Sequence, residues 1–233
     1  MAPVAEELSL DFGVLEPLQT ASSIDGLVEE LKKTVETKAV APAVLIGHSW
    51  GAWLVCIFAA RHPALVRKLI LVSSAPFEAG GDVSIDETRL SRLVADEKAE
   101  LETLWNNMGE PNGDSPEKVK KFLDLLTKAD SYDPMPSDAI IDFRFDIFNK
   151  VWPEAAALRQ SGELLEIVKT IKCPVVAIHG DHDPHPAEGV SKPLSKSIKD
   201  FRFVLLKHCG HRPWIEREAR DEFYRLLKNE LET

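Results

Sequence analysis

The stretch from Ala43 to Arg61, AVLIGHSWGAWLVCIFAAR, leaves few folds open to this chain. It begins with a continuous apolar run, Ala43 to Ile46, of the kind a strand shows when both of its faces are buried. It ends with Trp50 to Arg61, apolar nearly all round, as a buried helix is. Between them stands Gly47-His48-Ser49-Trp50-Gly51, which matches G-x-S-x-G in the strand-to-helix context that pattern requires. So sharp a turn tolerates little side-chain bulk at its flanks, which accounts for Gly47 and Gly51. It also thrusts Ser49 above the sheet edge at a helix N-terminus, where the helix dipole and the free N–H of Trp50 can hold a developing oxyanion.

The rest of the chain agrees with a largely parallel sheet covered by helices. Phe12 to Glu16 is a short strand candidate. Ser22 or Ser23 then caps a helix with an apolar stripe at Ile24, Leu27, Val28, Leu31 and Val35. Lys68 to Ser73 reads as the next strand. After Pro76 the texture changes, and from Phe77 to Thr170 no convincing strand appears. Helical stripes run through Leu90, Leu93, Val94, Leu101, Leu104 and Trp105, then through Val119, Phe122, Leu123 and Leu126, with Glu110 to Asp114 as a loop. Further helices are expected over Ser137 to Lys150 and Pro153 to Val168. Strands resume at Cys173 to His179 and Phe201 to Leu206, and a helix from Pro213 to Leu227 closes the pattern with Ile215, Ala219, Phe223, Leu226 and Leu227 as its stripe. The domain reading is therefore an α/β core over 1–76 and 171–233, with a helical insertion over 77–170.

A nucleophilic serine needs a base, and the base needs an orienting acid. Both are available after predicted strands, where a parallel sheet places its site. His179-Gly180-Asp181-His182-Asp183-Pro184 follows one strand, and Cys209-Gly210-His211-Arg212-Pro213-Trp214 follows the next. His211 is preferred to His208 as base, because Gly210 permits a loop and Pro213 starts a helix. His179 to His185 packs three histidines and two aspartates into seven residues. A zinc site would use H-x-H-x-D-H, and the first H-x-H pair is missing here, so no metal is expected. His48 reads as a packed or hydrogen-bonded structural residue, and Trp50 and Trp214 adjoin the proposed site. No phosphate loop or dinucleotide fingerprint is present, so no organic cofactor is implied.

With 28 Lys+Arg against 38 Asp+Glu, the net charge is −10, which argues against a nucleic-acid surface. No apolar run approaches the ~18 residues of a membrane span, and Met1 to Leu10 lacks a basic n-region. The three cysteines, Cys56, Cys173 and Cys209, are far apart and read as reduced thiols in a cytoplasmic protein.

GHSWGA at Gly47 to Ala52, IHGDHDP at Ile178 to Pro184 and CGHRPWIE at Cys209 to Glu216 resemble the α/β-hydrolase superfamily. RHPALVRKLILVSSAP, Arg61 to Pro76, is similar to its next helix-to-strand segment. The resemblance spans Phe12 to Leu231. It implies a serine hydrolase with Ser49 as nucleophile, Asp183 rather than Asp181 as acid, His211 as base and Trp50 N–H as oxyanion donor. The stretch from Phe77 to Thr170 is similar to the cap that covers the pocket in these enzymes, where Phe143, Phe145, Phe148 and Trp152 are candidates for an acyl pocket or for cap core. Serine at position 49 disfavours dehalogenase and epoxide hydrolase chemistry, which uses an aspartate there.

One departure stands out. The superfamily's early strands, and the H-G loop that supplies a second oxyanion N–H, have no counterpart before Phe12. The chain thus resembles an α/β hydrolase lacking its N-terminal portion, with association through an exposed strand edge as an expected consequence. Two classes of function follow. One is a serine hydrolase acting on a small carboxylic ester or amide through an acyl-enzyme, with acyl transfer as the same chemistry toward a different acceptor. The other is a catalytically impaired or non-catalytic protein that keeps the fold.

Overall fold

The computed structural model describes residues 1–80, 82–107, 115–136 and 144–233. The chain opens with helix α1, Ala2–Leu8, and helix α2, Ile24–Lys38. α2 starts at a capped end, where the Ser23 hydroxyl accepts from the Gly26 N–H at 3.1 Å, and it buries Ile24, Leu27, Val28 and Val35. Strand β1, Ala43–His48, turns into α3, Trp50–Arg61, and strand β2, Val66–Val72, follows. The insertion carries α4, Asp82–Ser91, α5, Ala95–Asn107, α6, Pro116–Asp130, α7, Phe145–Gln160, and α8, Glu163–Val168. The α/β alternation then resumes with β3, Val175–Gly180, α9, Glu188–Ser197, and β4, Phe201–Leu206, before α10, Arg220–Glu232.

The strands form one parallel sheet in the order β1-β2-β3-β4. Because side chains alternate across a strand, β2 and β3 feed two separate cores. Leu69, Leu71, Val175 and Ala177 meet α2, α3, α7, α8 and α9 on one face. Ile70, Val72, Val176 and Ile178 meet α1 and α10 on the other. In α3, Ala52 through Ala59 are all buried, as the all-round apolar sequence requires. Leu93, Leu101, Leu104, Phe122, Leu125 and Ala129 make a third cluster within the insertion. α7 and α8, by contrast, pack Ile147, Val151, Ala155, Leu164 and Val168 into the core beside α3. None of the helices among the described residues is long and apolar enough to cross a membrane.

Three sequence expectations need correction. Phe12 to Glu16 forms no strand. α1 buries Val4 and Leu8 in the core on one sheet face, and Phe12 and Val14 pack against that same core as Val44 and Ile46 of β1 do, without pairing as a strand. Consequently, among the described residues, no strand pairs with the outer edge of β1. β1 is half-buried along most of its length, whereas β3 is buried throughout. Second, Pro153 does not separate two helices but lies inside α7, where the buried neighbours Val151 and Ala155 offset the lost hydrogen bond. The break comes instead at Gly162, at φ 81°. The helix expected over Ser137 to Lys150 lies partly outside the described residues. Third, Pro213–Ile215 is a single 3₁₀ turn and α10 begins only at Arg220, although Ile215, Ala219, Phe223 and Leu227 are buried as one face.

Candidate active site

The serine turn follows from what its backbone has to do. Ser49 sits at φ 55°, ψ −121°, a conformation that a side-chain-bearing residue adopts only when its surroundings impose it. The surroundings are β2, whose Val72 carbonyl accepts the Ser49 N–H at 3.0 Å, and α3, which starts at the next residue. A Cβ at Gly47 would lie 2.3 Å from the Gly51 carbonyl oxygen, so only glycine fits there. Gly51 is different, because a Cβ there would meet nothing within 4 Å. Crowding therefore demands glycine at position 47 but not at position 51, whose open side leaves room in front of the turn. The Trp50 N–H is at the first position of α3, where a helix provides no acceptor of its own.

The loops after β3 and β4 are pressed backbone to backbone. A Cβ at Gly180 would lie 2.1 Å from the Cys209 carbonyl oxygen, and the His182 N–H donates to that oxygen at 2.8 Å. This contact brings Asp183 and His211 together, with His211 Nδ1 donating to Asp183 Oδ2 at 2.9 Å. Asp181 has a different task, accepting from the Cys209 N–H at 3.3 Å and standing 3.5 Å from Lys207 Nζ. His208 turns outward at φ 51° and bonds Glu218 at 2.6 Å. His48 donates through Nε2 to the His211 carbonyl at 2.9 Å, with its ring 4.7 Å from the His211 ring and 4.8 Å from Trp214. That is a structural role, and it places His211 beside the turn that carries Ser49. Among the described residues the Ser49 hydroxyl makes no side-chain hydrogen bond.

Electrostatics follow from burial. Burial alone would raise the Asp183 carboxyl, but the charge of His211 and the hydrogen bonds from His185 and His211 outweigh it and hold the group well below the usual carboxylate range. Burial, then the neighbouring His211, push His48 well below the ordinary imidazole value.

Several participants carried no role in the sequence. His185 donates through Nδ1 to Asp183 Oδ1 at 2.8 Å. Glu216, with no exposed surface, accepts from the Gly210 and Tyr132 N–H groups through Oε1 and from the Asp133 N–H through Oε2, each at 2.9 Å. It binds the His211 loop to the end of α6, where the His211 N–H also donates to the Asp130 carbonyl at 2.8 Å. The Asp130 side chain receives a fork from Arg89 of α4, at 2.7 and 3.0 Å. The sequence holds one signal for Glu216, a carboxylate just beyond Pro213-Trp214-Ile215 in an apolar setting. Nothing local points to Asp130 or Arg89. Asp183, His185 and His211 offer three ligand atoms within 4.8 Å of one another, and the Nδ1 of each imidazole is hydrogen-bonded to the carboxylate. On the other side of the turn, Trp50 meets Trp53 edge-on at 6.2 Å, Trp152 stacks on Trp53 at 5.8 Å, and Phe148 stacks on Trp152 at 5.6 Å. Phe143 and the side chain of Phe145 lie outside the described residues.

A parallel sheet flanked by helices, with a sharp serine turn between β1 and α3, is the layout of an α/β hydrolase. The chain belongs to the alpha/beta hydrolase family, whose model matches residues 8–226. It is 26% identical over 204 residues to a pimeloyl-(acyl-carrier protein) methyl ester esterase of Chromobacterium violaceum, covering 82% of this chain and 71% of that protein. It is also 26% identical over 204 residues to monoacylglycerol lipase ABHD6 of Homo sapiens, covering 85% of this chain and 58% of the relative. Among solved structures, VinJ superposes with a TM-score of 0.58 at 21% identity, over 91% of this chain and 73% of its own. A lipase-esterase related protein from Clostridium acetobutylicum gives 0.59 at 18% identity, over 97% and 87%. These two structural likenesses speak to the fold.

Proposed function

We propose that this protein is a serine hydrolase that cleaves a small carboxylic ester through an acyl-enzyme. The observation that carries the reading is the buried Asp183–His211 hydrogen bond at 2.9 Å, held beside a serine at φ 55° at the head of α3. The sequence relatives named as esterases and lipases support ester over amide. In this mechanism Asp183 keeps the His211 Nδ1 protonated, which leaves Nε2 as the base. Nε2 takes the Ser49 proton as Oγ attacks the ester carbonyl, and returns it to the leaving alcohol. The Trp50 N–H holds the oxyanion, and the Trp50–Trp53–Trp152–Phe148 aromatic run offers an apolar wall for the acyl chain. A second cycle with water, activated by the same nitrogen, frees the acid. The earlier helices of the insertion, α4 to α6, which share a cluster of their own, serve as the cap over this site. The three free cysteines suit a reducing, cytoplasmic compartment.

The test is a fluorophosphonate probe on the purified chain, with the modified residue located by mass spectrometry. Labelling confined to Ser49, and lost in Ser49→Ala, is the expected result. A folded protein that stays unlabelled overturns the reading and favours a non-catalytic member of the family.

A further inference from the structure

We propose that His185 is a positioning residue for the Asp183–His211 pair, its backbone and ring N–H groups pinning one carboxylate oxygen so that the other is presented to His211. The inference rests on the triad reading above. The loop after β3 brings His185 back onto Asp183, where its backbone N–H and its Nδ1 reach the same Oδ1 at 2.9 and 2.8 Å. His211 Nδ1 has Oδ2 to itself at 2.9 Å, apart from His179 Nε2 at 3.6 Å. His179 is committed elsewhere, since its Nε2 holds the His185 carbonyl at 2.8 Å and so fixes the loop that carries His185. The His185 ring also stacks on the His211 ring, with centroids 4.5 Å apart and planes inclined at 29°.

Each contact constrains the reaction. A carboxylate held only by His211 could rotate about its own Cβ–Cγ bond; two donors on Oδ1 remove that freedom before substrate arrives. The charge state matters as well, because His211 becomes an imidazolium during catalysis and a second cation at 4.5 Å would oppose it. Burial, then the proximity of His211, lower the proton affinity of His185, while Asp183 works in the opposite direction. The charged and titratable groups around it are Asp183, His211 and His179 in the core and Arg89 from α4, which is itself paired with Asp130 at 2.7 Å.

Two substitutions separate positioning from packing. His185→Asn keeps an N–H donor near the place of Nδ1 but loses the ring, whereas His185→Phe keeps ring and volume but loses the donor. The assay is the rate of fluorophosphonate labelling of Ser49 as a function of pH, with melting temperature measured alongside. Positioning predicts that Phe slows labelling by roughly 10–100-fold, as expected for a lost hydrogen bond to a charged group. It also predicts that the acid limb moves to higher pH, because Asp183 keeps more of its charge for His211. Asn stays within a few-fold of the parent with its limb in place. If Phe labels as fast as Asn or faster, or if neither variant moves the limb, the proposal is wrong. Should Phe fail to fold, a slow Asn variant with an unchanged melting temperature overturns it equally. A parent chain that never labels at Ser49 instead identifies the triad reading as the failure.

Discussion

Replacing Glu216 tests how the His211 loop is held. This carboxylate has no exposed surface and receives three backbone N–H groups at 2.9 Å, from Gly210, Tyr132 and Asp133. Glu216→Gln preserves shape. Its amide oxygen can keep Gly210 and Tyr132, which share Oε1, but its NH₂ then faces the Asp133 N–H donor to donor. One part-buried N–H is left unpaired, at the lower end of about 1–3 kcal/mol, and two hydrogen bonds lose their charge assistance, so the total cost is about 3 kcal/mol. For a chain of this length each kcal/mol lowers Tm by about 2–4 °C, giving a fall of about 6–12 °C. Glu216→Ala strands all three donors, which approaches the ~5–15 kcal/mol that stabilises a domain. Because Gly210 and the His211 N–H are tied to the same end of α6, Glu216→Gln should also slow Ser49 labelling while leaving Ser49 modifiable. Differential scanning calorimetry with parallel labelling kinetics measures both effects. A Glu216→Gln protein that melts within a degree or so of the parent, on the scale used above, would refute the view that this carboxylate fastens the loop.

Other outcomes follow from the same geometry. Asp183→Asn should lower esterase turnover by about 10⁴-fold, the scale of an acid-to-amide change in a serine triad, while Asp181→Asn, whose carboxylate meets Cys209 and Lys207, should cost far less; comparable losses would mean that the acid is misassigned. Gly47→Ala should prevent folding or cost several kcal/mol, because its Cβ would lie 2.3 Å from the Gly51 carbonyl oxygen, whereas Gly51→Ala, with nothing within 4 Å, should be tolerated; urea midpoints will rank them. Acid should destabilise the fold in two stages. His48 and His185 bind protons less readily when folded, so stability falls once pH drops below their unfolded value near ~6.5, by at most about 1.4 kcal/mol per pH unit for each proton. Asp183, whose folded value is depressed, contributes stability above the ordinary carboxylate value and loses it as pH falls through the folded one. A denaturation midpoint that stays flat between neutral pH and the carboxylate range would remove the histidine contribution.

Sequence alone determined those parts of this protein in which local pattern and long-range packing demand the same residues. The run from Ala43 to Arg61 forms a strand, a glycine-flanked turn and a buried helix as its pattern requires, although the strand is only half-buried because nothing among the described residues pairs with its outer edge. Phe201–Leu206 lies where its apolar run stood, for the same reason. Strand ends and glycines marked the Asp183 and His211 loops in the sequence, and the two side chains are hydrogen-bonded at 2.9 Å, which leaves their proposed roles to the tests above. Local pattern did not suffice where a neighbour decided. Phe12 to Glu16 carries a strand's composition, but Phe12 and Val14 pack against the same core as α1, Val44 and Ile46 do, without pairing as a strand. Pro153 looks like a helix break, yet burial of Val151 and Ala155 carries α7 through it. Gly51 has a motif's spacing but not its steric reason, since crowding depends on which backbone passes by. Only the tertiary structure showed that His185, 2 residues from Asp183, and Glu216, 84 residues from Tyr132, meet the same constellation. Buried hydrogen-bond partners are chosen by where chains cross, because a carboxylate without donors is too costly to bury and takes whichever N–H groups the fold delivers.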